Sequence, residues 1–136
     1  MNLVMPRTVK SFAEKPTKEF IIEKVGDLSN ITVMQNMVLV ATYIRPDQTE
    51  GGLFLPDSAI EEDVYQGKVG LVLKMGPAAF EDSVDEPRFY GLRANLHDWV
   101  AYRVGDSWDL TLRGVACRLI RDSNIRLIIS DPKDVF

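Results

Sequence analysis

Few side chains in this sequence have the types and spacing that chemistry needs. The nearest approach is Gly105-Asp106-Ser107 with the single histidine, His97. A serine nucleophile needs a base within hydrogen-bond reach and a sharp strand-to-helix elbow of the Gly-X-Ser-X-Gly kind, and neither surrounds Ser107. Glu61, Glu62 and Asp63 form a carboxylate run in a polar stretch where nothing desolvates them, so no pKa is raised for acid-base work. Gly51-Gly52 is not followed by Gly-Lys-Ser or Gly-Lys-Thr, so no phosphate cradle is expected and any nucleotide belongs to a partner. With one histidine and one cysteine the chain lacks the usual protein metal ligands, and Cys117, inside Val115-Ala116-Cys117-Arg118-Leu119-Ile120, is expected in a buried strand. The reading is a non-enzyme with no metal and no cofactor.

Recognition is a better account of the informative residues. Leu53, Phe54 and Leu55 lie between Gly51-Gly52 and Pro56-Asp57, and an acidic spacer follows before Gly67-Lys68-Val69. A core strand would alternate or run on into apolar neighbours, so the boxed triplet reads as a binding loop. Burying each of the three side chains in an apolar groove contributes roughly 1.5–3 kcal/mol. Ordering each flexible residue around them costs roughly 1–2 kcal/mol. One such loop binds weakly and reversibly, and a ring presenting several gains affinity through effective concentration. The competing reading is that the triplet packs on its own domain.

The elements that must carry this loop are strands. Segments 36–44, 67–75, 97–104 and 115–129 are rich in Val, Ile, Leu, Tyr and Trp and are punctuated by Gly, Pro, Asp and Asn. In 68–75, Val69, Leu71, Leu73 and Met75 alternate with Lys68, Gly70, Val72 and Lys74, which predicts one face on a core and one in water. Val100, Tyr102 and Val104 likewise oppose Trp99, Ala101 and Arg103, with a turn at Asp106-Ser107. No long stretch has helical apolar spacing with caps, although Ser58 to Val64 could form a short helical turn. Short strands with turns between them predict a small all-β barrel or sandwich. Two segments are expected outside it: an N-terminal arm, residues 1–30, with an apolar island at Phe20-Ile21-Ile22, and an excursion over 78–96 carrying Glu81, Asp82, Asp85 and Glu86.

Composition excludes several classes. A chain of 136 residues is one domain able to hold a core without staples. A net charge of −4 with scattered basic residues argues against a nucleic-acid binder, which would carry a basic stripe. Apolar runs are far short of a membrane span and no export signal is visible, so a soluble protein of a reducing, cytoplasmic compartment is expected.

The run Gly51-Gly52-Leu53-Phe54-Leu55-Pro56-Asp57-Ser58-Ala59, then Gly67-Lys68-Val69 to Met75-Gly76-Pro77, resembles the mobile loop and following strand of the small co-chaperonins, the GroES family. The resemblance runs from about Met34 to Ile129 and implies a GroES-like β-barrel over 31–136, with a mobile loop at 51–66 and a roof-like hairpin at 78–96. It implies a lid that caps a GroEL-type chaperonin and assists folding, with Gly51, Gly52, Leu53, Phe54, Leu55 and Pro56 on the partner's apical groove and ATP bound by that partner. It further implies a homo-oligomer, a seven-membered ring in which Met37, Val38, Leu39 and Val40 pair with Arg126, Leu127, Ile128 and Ile129 of a neighbour, hiding sheet edges. The sequence departs from the family at Met34-Gln35-Asn36-Met37-Val38, where a Pro-Leu-X-Asp-Arg-Val-like stretch is common, in the arm, and at 103–114 with Trp108. A phage-type relative is one reading of these departures. The alternative function is a structural protein, such as a phage capsid decoration or cement subunit stapled to viral capsid subunits by its arm and loop, in which case it resides in the virion.

Overall fold

Two strands made almost wholly of apolar residues occupy the middle of the fold: β1, Met37–Thr42, and β2, Val69–Met75. The computed structural model describes residues 17–44 and 66–135, and the other elements are α1 (Lys18–Val25), β3 (Trp99–Tyr102), β4 (Trp108–Leu112), β5 (Val115–Arg121) and β6 (Ile125–Ile129). The six strands form one sheet in the order β4-β5-β1-β2-β3-β6, and every neighbouring pair is antiparallel. The protein is all-β in class, as its strand-rich sequence requires, with the short helix α1 beside the sheet.

The central strands are buried on both faces, which corrects the expectation of one wet face on 68–75. Leu39, Ala41, Leu71 and Trp99 face a core closed by Ile21 and Val25 of α1. Val38, Val40, Val72, Val100 and Ile120 face a second core closed by Ala79, Phe80 and Ala94 of the 78–96 excursion. Covering both faces explains why β1 reads as an unbroken apolar run. A bulge in β2 sets the change of face, because Leu39 pairs with Lys74 whereas Val40 pairs with Val72, leaving Leu73 as the extra residue. Leu73 therefore stays on the helix side while Met75 joins the second core. Lys74 leaves the alternation as well, and its Nζ donates to the carbonyls of Leu28 (2.7 Å) and Ile31.

Helix α1 lies within 1–30, the region expected as an arm, yet Ile21 and Val25 are core residues. Its signals are short but complete. Thr17 Oγ1 accepts from the Phe20 amide at 3.3 Å, Glu19 sits in the first turn, Lys24 in the last, and Gly26 follows at φ +69°. Arg113 ties the helix end to the β4–β5 hairpin, donating to the carbonyls of Val25 and Asp27 and to Asn30 Oδ1. Arg113 and Gly114 close that hairpin, both at positive φ, as a two-residue turn between right-twisted strands requires.

Two strand assignments also differ from the sequence reading. The segment 115–129 is two strands, because Asp122–Asn124 forms a 3-10 turn that sends β6 to the opposite end of the sheet. Trp108–Leu112, outside the segments expected as strands, is a strand hydrogen-bonded to β5. The excursion at 78–96, expected as a hairpin, contains no strand and is held by turns and carboxylates instead.

Candidate functional site

The excursion meets β6 through Asp122. This buried carboxylate accepts from Asn36 Nδ2 at 3.0 Å through one oxygen and from the Phe80 amide at 2.9 Å through the other, while its own amide donates to the Asn36 carbonyl at 3.0 Å. Three segments distant in sequence are thereby fixed: the turn before β1, the start of the excursion and the turn into β6. Phe80, held at φ +61°, then packs edge-on against Phe89 with centroids 5.4 Å apart.

The outer half of the excursion is shaped by Asp82 and Ser83. Asp82 accepts from the amides of Phe89 (2.5 Å) and Gly91 (2.8 Å), and Ser83 Oγ accepts from the Glu86 amide at 2.9 Å. The amides of Gly91 and Phe89 hold the Asp82 carboxyl below the usual carboxylate range. Glu81, Asp85 and Glu86 stay in water around Val84, which is 99% exposed.

Between excursion and edge strand lies a cleft of about 450 Å³. Phe80, Phe89 and Leu92 supply one wall, and Ile125, Leu127 and Ile128 supply the other. Arg88, Arg93 and Arg126 stand around it, Arg88 with its guanidinium 5.5 Å from the Phe89 ring centre. Leu127 and Ile128 are each 50% exposed, an unusual state for apolar residues on a strand. Sequence reasoning placed both, together with Arg126, on a subunit edge but missed Arg88 and Arg93.

The other expected site residues distribute unevenly. Gly51, Gly52, Leu53, Phe54, Leu55 and Pro56 lie outside the described residues. Arg126, Leu127, Ile128 and Ile129 are on β6, whose one hydrogen-bonded neighbour among the described residues is β3, so β6 is an edge strand of the described sheet. Met37, Val38, Leu39 and Val40 are elsewhere: β1 is bonded to β5 on one side and β2 on the other. No backbone edge is left at Met37–Val40 for a neighbour's strand, which corrects the expected pairing of these residues across subunits. They are interior because both faces of β1 are needed for the two cores.

The groups weighed for chemistry are apart. Ser107 Oγ donates to the Val104 carbonyl at 2.6 Å and receives from Arg118 at 3.1 Å, and His97 sits in a turn at φ +69° with its amide on the Val72 carbonyl. Cys117 is buried, which pushes its thiol up to about 12. Among the described residues no group of three or more His, Cys, Asp or Glu could hold a metal ion. No helix among them is long and apolar enough to cross a membrane.

A small all-β protein whose described residues form one sheet covered by a core on each face is the class that this fold defines. Over 100 residues the chain is 25% identical to a protein described as "Co-chaperonin GroES" from Gemmatimonas aurantiaca, a match covering 74% of this chain and 95% of that relative. No family model matches the chain. The likeness is a distant one to a GroES co-chaperonin.

Proposed function

We propose that the protein is a co-chaperonin lid, a non-catalytic subunit that caps a GroEL-type chaperonin through Leu53, Phe54 and Leu55 and assists protein folding. The observation that carries this reading is the extent of the similarity to a co-chaperonin, which takes in nearly all of that relative's length. The apolar triplet supplies burial, and its glycine and proline flanks let a short segment enter a groove as an extended hairpin. ATP is bound and hydrolysed by the partner in the cytoplasm, and the lid works as a homo-oligomeric ring. With β1 interior, β4 and β6 are the edge strands among the described residues, and β6 carries Arg126–Ile129.

The test is to mix the chain with a GroEL-type chaperonin and nucleotide and to measure co-migration and ATP turnover. A nucleotide-dependent complex with slowed turnover is expected, and Phe54→Asp should abolish both. Absence of a complex with a chaperonin of the appropriate host would end the lid reading and favour a structural role for the same fold.

A further inference from the structure

We propose that the cleft beside β6 receives the acidic turn Glu81–Glu86 of a second copy of this chain, with Val84 as the apolar tip; the inference rests on the oligomeric reading above and names the contact that builds the oligomer. The cleft and the turn are complementary in two independent respects. The cleft has an apolar floor between Phe89 and Leu127 and an arginine rim, and among the described residues neither Arg93 nor Arg126 has an ion-pair partner. The turn reverses this pattern, with one valine fully in water at its centre and Glu81, Asp85 and Glu86 around it.

The turn is preorganised for the purpose. Asp82 spends both carboxylate oxygens on the Phe89 and Gly91 amides, and Ser83 closes the tip onto Glu86, so little further order is lost when the turn docks. An exposed valine at the apex of a rigid acidic turn has no role in the fold of its own chain, since the second core is already closed by Ala79, Phe80 and Ala94. Seating it in a neighbour's cleft removes Val84, Leu127 and Ile128 from water together and sets three carboxylates against the guanidinium groups of Arg93 and Arg126. Charge of this kind selects the register and suppresses wrong partners. Each copy gives one turn and accepts one, so the contact propagates from subunit to subunit or is exchanged within a pair.

The experiment is sedimentation velocity and native mass spectrometry on the full chain across a concentration series, with thermal melting to verify that each variant folds. The double variant Arg93→Glu/Arg126→Glu is expected to weaken self-association at least about tenfold, because like charges then face each other. Val84→Asp, at a fully exposed position, should do the same. Adding Asp85→Arg and Glu86→Arg to the double variant should restore association. An oligomer insensitive to all these changes would overturn the contact while leaving the lid reading to the chaperonin assay. Loss without restoration would overturn the pairing of turn with cleft. A wild-type chain that is monomeric throughout the series would overturn it too, assigning the cleft to an acidic partner of another kind.

Discussion

Two glycines of β2 and its end show how local geometry limits substitution. A Cβ on Gly76 would stand 2.2 Å from the Gln35 carbonyl oxygen and 2.6 Å from that of Met34, both backbone atoms of the turn before β1. A Cβ on Gly70 would meet Val40 Cγ2 at 2.9 Å and the Ala41 carbonyl oxygen at 3.1 Å, a tight contact in which part of the obstruction is a side chain. Gly76→Ala should therefore cost about 3 kcal/mol or more and Gly70→Ala about 1–3 kcal/mol. Urea unfolding of both variants checks the ranking, and equal losses would mean that the Gln35 turn yields. A different cost applies at Arg118, which is 1% exposed on β5 and whose Nη1 lies 2.6 Å from Asp109 Oδ1 across the β4–β5 pair. Asp109 is itself 58% exposed, so water partly replaces it, and Asp109→Ala should lose about 1–3 kcal/mol rather than the larger cost of breaking a fully buried pair. Pairing Asp109→Ala with Arg118→Met tests this: the double variant should be no less stable than the single one, since removing the buried cation removes the desolvation cost.

At the scale of elements, the excursion replaces strand pairing with carboxylate caps, which makes it sensitive to acid. The Asp82 pKa is lowered in the folded protein by the Gly91 and Phe89 amides. The ionised carboxylate therefore contributes its full stabilisation above the ordinary aspartate pKa of about 3.9 and loses it as pH falls through the lower folded value. The amide signals of Phe89 and Gly91 should shift together below pH 3.9, at an ordinary aspartate's pKa or beneath it, and in Asp82→Asn they should not follow the titration. A midpoint above that value would contradict the capping geometry. The same elements show what was legible in the sequence. β1 and β2 were evident because double-sided burial leaves a continuous apolar signature. α1 was missed because only Ile21 and Val25 are buried in its eight residues, too few for a visible period, and the decisive signals are the Thr17 cap and Gly26. The break at Asp122–Asn124 was hidden because three polar residues look like a ripple in a strand, whereas Asp122 is a buried anchor for Phe80 and Asn36. Of the candidate site, Arg126–Ile129 were legible as strand residues, but the subunit pairing given to Met37–Val40 came from the family resemblance, and sequence order says nothing about which strands flank β1.

For the whole molecule, the proposed lid and the proposed contact make a joint demand on affinity. Three apolar side chains at Leu53, Phe54 and Leu55 contribute roughly 1.5–3 kcal/mol each when buried, and ordering their neighbours offsets most of it at roughly 1–2 kcal/mol per residue. A single subunit then holds a chaperonin only weakly. Linking subunits converts each further engagement into an intramolecular event, and avidity gains of about 10²–10⁴ follow without any new contact at the groove. A subunit whose self-association is broken but whose triplet is intact should accordingly lose capping by a factor in that range, while free wild-type ring is displaced from the chaperonin only slowly. The variant Arg93→Glu/Arg126→Glu, outside the triplet, isolates this effect: its equilibrium affinity for the chaperonin in the presence of nucleotide should fall with its self-association and recover with Asp85→Arg/Glu86→Arg. Phe54→Asp should lose capping with self-association unchanged. If the broken subunit caps as tightly as the wild type, the triplet alone supplies the affinity, and the arithmetic that requires a ring is wrong.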